Sequence, residues 1–550
     1  MFLGSCALMG IRFKVTNPKK PGTYPKYSKD YLLHSQNGPK RNEYDVSYYQ
    51  LKVTIDPQQK KVSGRVDMKA KALYRLDTLQ LDAHRNLKVD SVFVNRVPVN
   101  YIRLKDAIWI CLRKSMAPDS NFEVSVRYAG KPLVAKKAPW VGGMVWKKDK
   151  AGLPWCGVAC ETEGAYLWWP NKDLVNDEAD SMDIYVTAPD QVVSVSNGIY
   201  KGNLNTVNGW KISHWHVSYP INNYNVTFYL GNYTCISDTF VSKLNGRKIL
   251  MSYYVLPNHL NKAFSHFQQA KDYLHFYEKK FGAYPWPKDG YKLVESPYEG
   301  MEHQSAIAYG HKYVNDASGI DYIILHETAH EWWGNSVTAD DLGDAWLQEG
   351  FATYSEALYV EETQGKEAYE NYMYWQRLMI KNKRPVARPK DIRYFSYKDE
   401  DVYNKGSWLL HSLRTAIQND TLFFGILRSF RLMHHQQQIS SQDFINLVNA
   451  RTTSGYDWFF RQYLYKREAP VLEYCWQGDY FYYRWLEVEK DFSKMPVELN
   501  FGGTIKRVYP NTKVQKIKIE SSLGDKVGFS DHKALFGLKR NNQIPLEASE

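Results

Sequence analysis

Two histidines and a glutamate at metal-gripping spacing stand in the middle of the chain: His326-Glu327-Thr328-Ala329-His330, then Glu349 after eighteen intervening residues. On a helix, residues four apart share a face one turn apart, so both imidazoles can reach one ion. A carboxylate from the next helix completes a His, His, Glu set and leaves a tetrahedral zinc ion one open position for water. Glu327 lies inside the motif but off the ligand face, where it can act as a base instead of a ligand. The chemistry these types and spacings support is metal-assisted hydrolysis of an acyl bond.

The elements that position these residues can be read from pattern. Tyr49, Leu51, Val53 and Ile55 alternate with polar residues, and after Asp56-Pro57-Gln58-Gln59 the alternation resumes at Val62, Gly64, Val66, Met68 and Ala70. Period-two patterning across a turn predicts a hairpin. Leu79, Leu81, Ala83, Val92 and Val94 continue it, so residues 44–236 read as a large, mostly antiparallel β domain. Near residue 258 the period changes: Ala263, Phe264, Phe267, Ala270, Leu274, Tyr277 and Phe281 fall at helical spacing, ending at Gly282 and Pro285. Residues 237–470 read as a mainly helical domain in which Ile323, His326, His330 and Trp333 share one face of a half-buried helix. After Pro470 strands return (Phe481, Tyr483 and Trp485, then Val497, Leu499 and Phe501), so 471–550 reads as a small sandwich-like β domain.

Composition excludes other classes. A chain of 550 residues with 44% hydrophobic and 24% charged residues is an ordinary multidomain globular protein. The formal charge is +12, but half of that excess lies in the first 40 residues, which hold seven Lys or Arg and one Asp. The remainder is spread thinly and no nucleic-acid motif accompanies it, so no nucleic-acid partner is expected. Six cysteines are too few and too scattered for a disulfide scaffold, although Cys156 and Cys160 are close enough to pair in an oxidising compartment. Residues 1–43 read as a tail. Its Leu3-Gly4-Ser5-Cys6 resembles a bacterial lipoprotein processing box without its upstream half. Two readings stand: a lipidated Cys6 with the basic, Pro-rich segment as a membrane-proximal tether, or a tail without a role. The corresponding location is the bacterial envelope or secretion, with the cytoplasm as the alternative.

The motifs carry a resemblance. His326-Glu-x-x-His330 with Glu349 in Leu347-Gln348-Glu349-Gly350-Phe351 is similar to the zinc aminopeptidases of the aminopeptidase N and leukotriene hydrolase group, the gluzincins with a third glutamate ligand. That family has a Gly-Ala-Met-Glu-Asn segment before the metal motif. The matching stretch here is Glu299-Gly300-Met301-Glu302-His303, with only the Met-Glu core kept. The resemblance implies that Glu302 binds the substrate α-amine, with Gly300 and Met301 beside the substrate. Ala159-Cys160-Glu161-Thr162-Glu163-Gly164 is similar to a second amine-binding stretch, pointing to Glu161. Tyr403, in Val402-Tyr403-Asn404-Lys405-Gly406, matches the tyrosine that stabilises the oxyanion. The implied architecture is α+β and multidomain, with a thermolysin-like catalytic domain between the two β domains. The implied activity is a zinc-dependent aminopeptidase with one ion per chain and peptide substrates. An endopeptidase or an epoxide hydrolase on the same zinc site is the alternative.

Overall fold

The computed structural model describes residues 38–391, 400–519 and 527–544, together with part of 17–33. Cys6 lies outside the described residues. The expected hairpin is present: β1 (Tyr44–Asp56) returns as β2 (Lys61–Ala72) in a register that sets Leu51 against Val66 and Val53 against Gly64. It is the centre of an eight-stranded sheet in which all neighbours are antiparallel except β1 and the strand Ser181–Pro189. A four-stranded sheet follows, and its strand β3 (Pro154–Ala159) leads directly to Glu161.

The helical region begins in two pieces. The continuous periodicity of residues 263–281 breaks at Phe267 and Gln268, giving Leu260–His266 and then α1 (Gln269–Phe281). Gly282 ends α1 at φ 98°, a left-handed backbone that favours glycine. A five-stranded sheet lies alongside and contains the two-residue strand β4 (Gly300–Met301). The site is then built by α2 (Tyr322–Ala329), α3 (Trp346–Gln364), α4 (Lys366–Met379) and α5 (Asn404–Ile417). The metal-motif helix differs from expectation. It is buried almost all round, and it stops at Ala329, so His330 caps it and Trp333 lies in the following turn. Tyr277 Oη to Leu325 O (2.8 Å), Tyr291 Oη to Thr328 Oγ1 (2.7 Å) and Trp332 Nε1 to Gly282 O (2.9 Å) fasten it on three sides.

The last segment forms a four-stranded and a three-stranded sheet. Its core residues Trp485, Phe492 and Phe536 are continuous with the helical core. Asn17 exchanges two hydrogen bonds with the backbone of Ala469 (2.9 and 3.0 Å), and Gly22 N donates to Lys383 O (2.8 Å), so this part of the tail is strapped to the protein's own surface. Cys156 and Cys160 are buried, and their Sγ atoms face the carbonyls of Lys147 and Tyr224 instead of each other. No helix among the described residues is long and apolar enough to cross a membrane.

Candidate active site

His326, His330 and Glu349 are brought together with their candidate ligand atoms facing one another. His326 Nε2 and His330 Nε2 lie 3.0 Å apart, and each is 3.4 Å from Glu349 Oε2. Ligands 2.0–2.1 Å from a tetrahedral ion sit about 3.3–3.4 Å from one another, so the triangle fits one zinc ion. The other ring nitrogens are committed: His326 Nδ1 to Glu356 Oε1 (2.6 Å) and His330 Nδ1 to Trp333 O (2.8 Å). Those partners fix the tautomer that leaves Nε2 free to face a metal ion. Glu356 was not foreseen from sequence, yet it lies two helical turns after Glu349 on the same face, a usable signal.

The backbone explains why these groups point inward. Asp321 caps α2, accepting from Ile323 N (3.1 Å) and Ile324 N (3.4 Å), and is held in turn by His266 Nε2 (2.6 Å) and Tyr309 Oη (2.7 Å). Where α3 crosses α5, Gly350 meets Gly406. A Cβ at 350 would sit 3.0 Å from the Gly406 Cα, and one at 406 would sit 2.9 Å from the Gly350 Cα. The glycine pair lets the helices touch and sets Glu349 and Tyr403, each beside that crossing in sequence, around one cavity.

That cavity has a volume of about 400 Å³. It is lined by Glu161, Gly300, Met301, Glu302, His326, Glu327, His330, Glu349 and Tyr403, which are all the expected residues, together with Lys137, Trp140, Glu299, Tyr322, Glu400 and others. The last group was not legible because loops and helix ends far apart in sequence supply it. Burial pushes the Glu327 carboxyl up to about 8, so it holds protons readily. Burial opposes ionisation of Glu349 too, but His330 and His326 outweigh it and hold that carboxyl down at about 2, as suits a ligand. Burial and the surrounding carboxylates keep the Tyr403 phenol protonated far above neutrality, and its ring lies 6.2 Å from that of His326.

The altered residues around Glu302 are explained by their surroundings. A Cβ on Gly300 would come 2.5 Å from Glu327 Oε1 and 2.9 Å from Ile323 Cγ2, so alanine there would have to displace those side chains. Glu299 accepts from Tyr322 Oη (3.1 Å). His303 is fully buried with Nδ1 2.7 Å from Tyr229 Oη, and burial pushes its imidazole down to about 3, so it is neutral. Met301 packs into the core of the N-terminal β region besides lining the cavity. Glu161 is held to this segment across the domain junction. Tyr298 Oη donates to Val158 O (2.9 Å), Trp155 Nε1 to Glu295 O (3.2 Å) and Lys147 Nζ to Pro297 O (2.7 Å). Oxygens of Glu161, Glu302 and Glu349 all lie within 4.8 Å of one another.

The chain is similar to known proteins over this region. Residues 265–463 match the peptidase family M1 domain. The chain is 28% identical over 296 residues to endoplasmic reticulum aminopeptidase 1 of Mus musculus, covering 50% of this chain and 31% of that protein. It is 22% identical over 465 residues to aminopeptidase N of Haemophilus influenzae, covering 80% of this chain and 50% of that protein. This chain thus spans about a third to a half of those curated relatives. In fold it is similar to the M1 zinc metallopeptidase of Deinococcus radiodurans, with TM-score 0.66 and 22% identity over 78% of this chain and 94% of that one. The region that holds Glu302, His326, Glu327, His330, Glu349 and Tyr403 thus lies within the stretch that matches the peptidase family M1 domain.

Proposed function

We propose that this protein is a zinc-dependent aminopeptidase that removes the N-terminal residue of peptides, with one zinc ion on His326, His330 and Glu349. The observation that carries the reading is the placement of Glu161 and Glu302 against Glu349, within 4.8 Å. Hydrolysis anywhere along a peptide needs only the metal triad and a base. Carboxylates set beside the metal have a purpose when the substrate brings a cationic amine, which they hold by charge-assisted hydrogen bonds.

Zinc, when bound, supplies Lewis-acid chemistry that acidifies water and polarises a carbonyl. The chain's own residues do the rest. Glu302 and Glu161 grip the ammonium group and so fix the first peptide bond over the triad. Glu327 accepts a proton from the attacking water, and its raised proton affinity lets it hold that proton and deliver it to the leaving amine. Tyr403, protonated at neutral pH, donates to the oxyanion as it forms. Glu356 and the Trp333 carbonyl keep both imidazoles oriented throughout.

The test is hydrolysis of fluorogenic aminoacyl amides, each beside its N-acetylated twin, with and without a zinc chelator. Chelator-sensitive cleavage of the free amines alone is expected. Equal cleavage of the acetylated twins overturns the amine clamp and favours an endopeptidase. Attachment to a bacterial envelope through Cys6 is a separate proposal, checked by intact mass of the natively produced chain; an unmodified Cys6 there rules it out.

A further inference from the structure

A phenol that donates to an oxyanion must be held to a fraction of an ångström, and the turn that carries Tyr403 is anchored from outside itself. Tyr403 occupies the N-cap of α5, where its side chain makes no capping hydrogen bond. Two neighbours hold the turn instead. Asp401, fully buried, accepts from Lys381 N (2.7 Å) and Lys383 N (3.2 Å). Lys405, also buried, donates through Nζ to Arg467 O (2.6 Å). Both partner stretches, 380–384 and 467–469, are irregular backbone between regular elements. The N-terminal tail fastens both. Asn17 bonds the backbone of Ala469 twice, Pro18 O accepts from Arg467 Nη1 (2.7 Å), and Gly22 N donates to Lys383 O. The Arg384 guanidinium lies over the Tyr24 ring, 5.4 Å from its centroid. Further along, Leu33 O accepts from Gln80 Nε2 (2.8 Å), which ties the other end of the tail to the N-terminal β region.

We propose that the tail, through Asn17, Pro18 and Gly22, is a positioning strap for Tyr403. One residue relays it on each side of the turn. Lys383 takes the strap on its carbonyl and gives its N–H to Asp401. Arg467 gives its guanidinium to the strap and its carbonyl to Lys405. Tyr403 stands between Asp401 and Lys405, so fixing both fixes the turn at the cavity wall that Glu400, Tyr403 and Asn404 form. The sequence suits the task, because Pro18, Pro21 and Pro25 limit the freedom the tail loses on docking. No described residue of the tail lines the cavity, so the strap acts on the rate of the bound substrate and not on its binding. The effect on rate rests on the oxyanion role of Tyr403; the hold on the turn does not.

The test uses the zinc-loaded full chain carrying Asn17→Ala and Gly22→Pro together, which removes both Asn17 bonds and the Gly22 N–H. Hydrogen exchange followed by mass spectrometry reads the turn directly. Residues 400–407 should exchange faster than in the parent chain, while residues 322–334, which carry the two histidines, and the zinc content stay unchanged. On aminoacyl amides kcat should fall roughly three- to tenfold at unchanged KM, a part of the roughly 10²–10³-fold that one oxyanion donor contributes. In a Tyr403→Phe background the strap substitutions should lower kcat no further, since their effect runs through the missing phenol. Unchanged exchange at 400–407 overturns the strap, and so does an unchanged kcat where Tyr403→Phe lowers it. A fall in kcat as large in the Tyr403→Phe background as in the parent overturns it too, as does zinc loss or faster exchange at 322–334, which marks a general loosening. If exchange at 400–407 rises and Tyr403→Phe alone keeps the parent kcat, the hold on the turn stands and the oxyanion role of Tyr403 is lost.

Discussion

The two halves of the site are built in different ways. The proposed metal triad is local: its two histidines stand one turn apart at the end of α2, its glutamate opens α3, and Glu356, bonded to His326, lies two turns further along the same helix. The amine clamp is not. Glu161 follows a strand of the N-terminal β region, Glu302 follows a two-residue strand, and long-range bonds such as those from Lys147, Trp155, Tyr298 and Tyr229 hold the two segments together. A site with one locally encoded half and one assembled across a domain junction can lose substrate selection while keeping its metal. Perturbing each half separately tests that independence.

The largest effect is expected at the point where the halves meet. Glu327→Gln should lower kcat by roughly 10²–10⁴-fold, the usual weight of a positioned base, with zinc content unchanged. Gly300→Ala sharpens the comparison, because it alters the clamp segment and reaches the base through space. Its methyl would press on Glu327 Oε1, so kcat should fall with zinc retained and KM little changed. Intact kcat in Gly300→Ala would show that the carboxylate can move aside without loss.

Next come the clamp carboxylates. Glu302→Gln and Glu161→Gln each weaken a charge-assisted hydrogen bond of about 1.5–3 kcal/mol, so kcat/KM on free-amine substrates should drop roughly ten- to a hundredfold. Zinc affinity should hold in both variants. Loss of zinc would break the comparison by showing that the clamp supports the triad. Gly406→Ala probes the local half. A methyl at the α3–α5 crossing costs about 1–3 kcal/mol of stability and should loosen zinc by moving Glu349, measured by chelator competition.

The same contrast decides what could be read from sequence. His326, His330 and Glu349 were legible because helical period converts spacing into geometry, and β1 and β2 because alternation converts into a register. Glu302, Glu161 and Tyr403 came only through family resemblance, since no local rule relates residues 161, 302 and 403. Lys137, Trp140 and Glu400 line the cavity without any motif to announce them. The break at Phe267 and Gln268 was hidden because the apolar period runs on through it, and the end of α2 at Ala329 because His330 keeps near-helical angles as the cap. The burial of α2 on nearly every side was missed because its polar residues are buried with partners of their own, Thr328 on Tyr291 among them.

The smallest expected effect separates the halves by pH. His303 sits in the clamp segment, where burial pushes its imidazole from an ordinary 6.5 down to about 3. Between those values the unfolded chain binds a proton that the folded chain does not, so stability falls as pH falls, by about 1.4 kcal/mol per pH unit at most. The contribution is fully present above pH 6.5, and acidification to pH 5 removes roughly 2 kcal/mol of it. The residue at this place in the resembling family, asparagine, does not titrate. His303→Asn should therefore flatten the decline of the urea midpoint between pH 7 and pH 5 relative to the parent chain. Protonation of the metal ligands in acid affects both proteins alike and cancels in the difference. Parallel declines would mean that His303 finds water or a second proton acceptor at its Nε2, which is buried without a partner. The clamp segment would then not be the acid-sensitive side of the site.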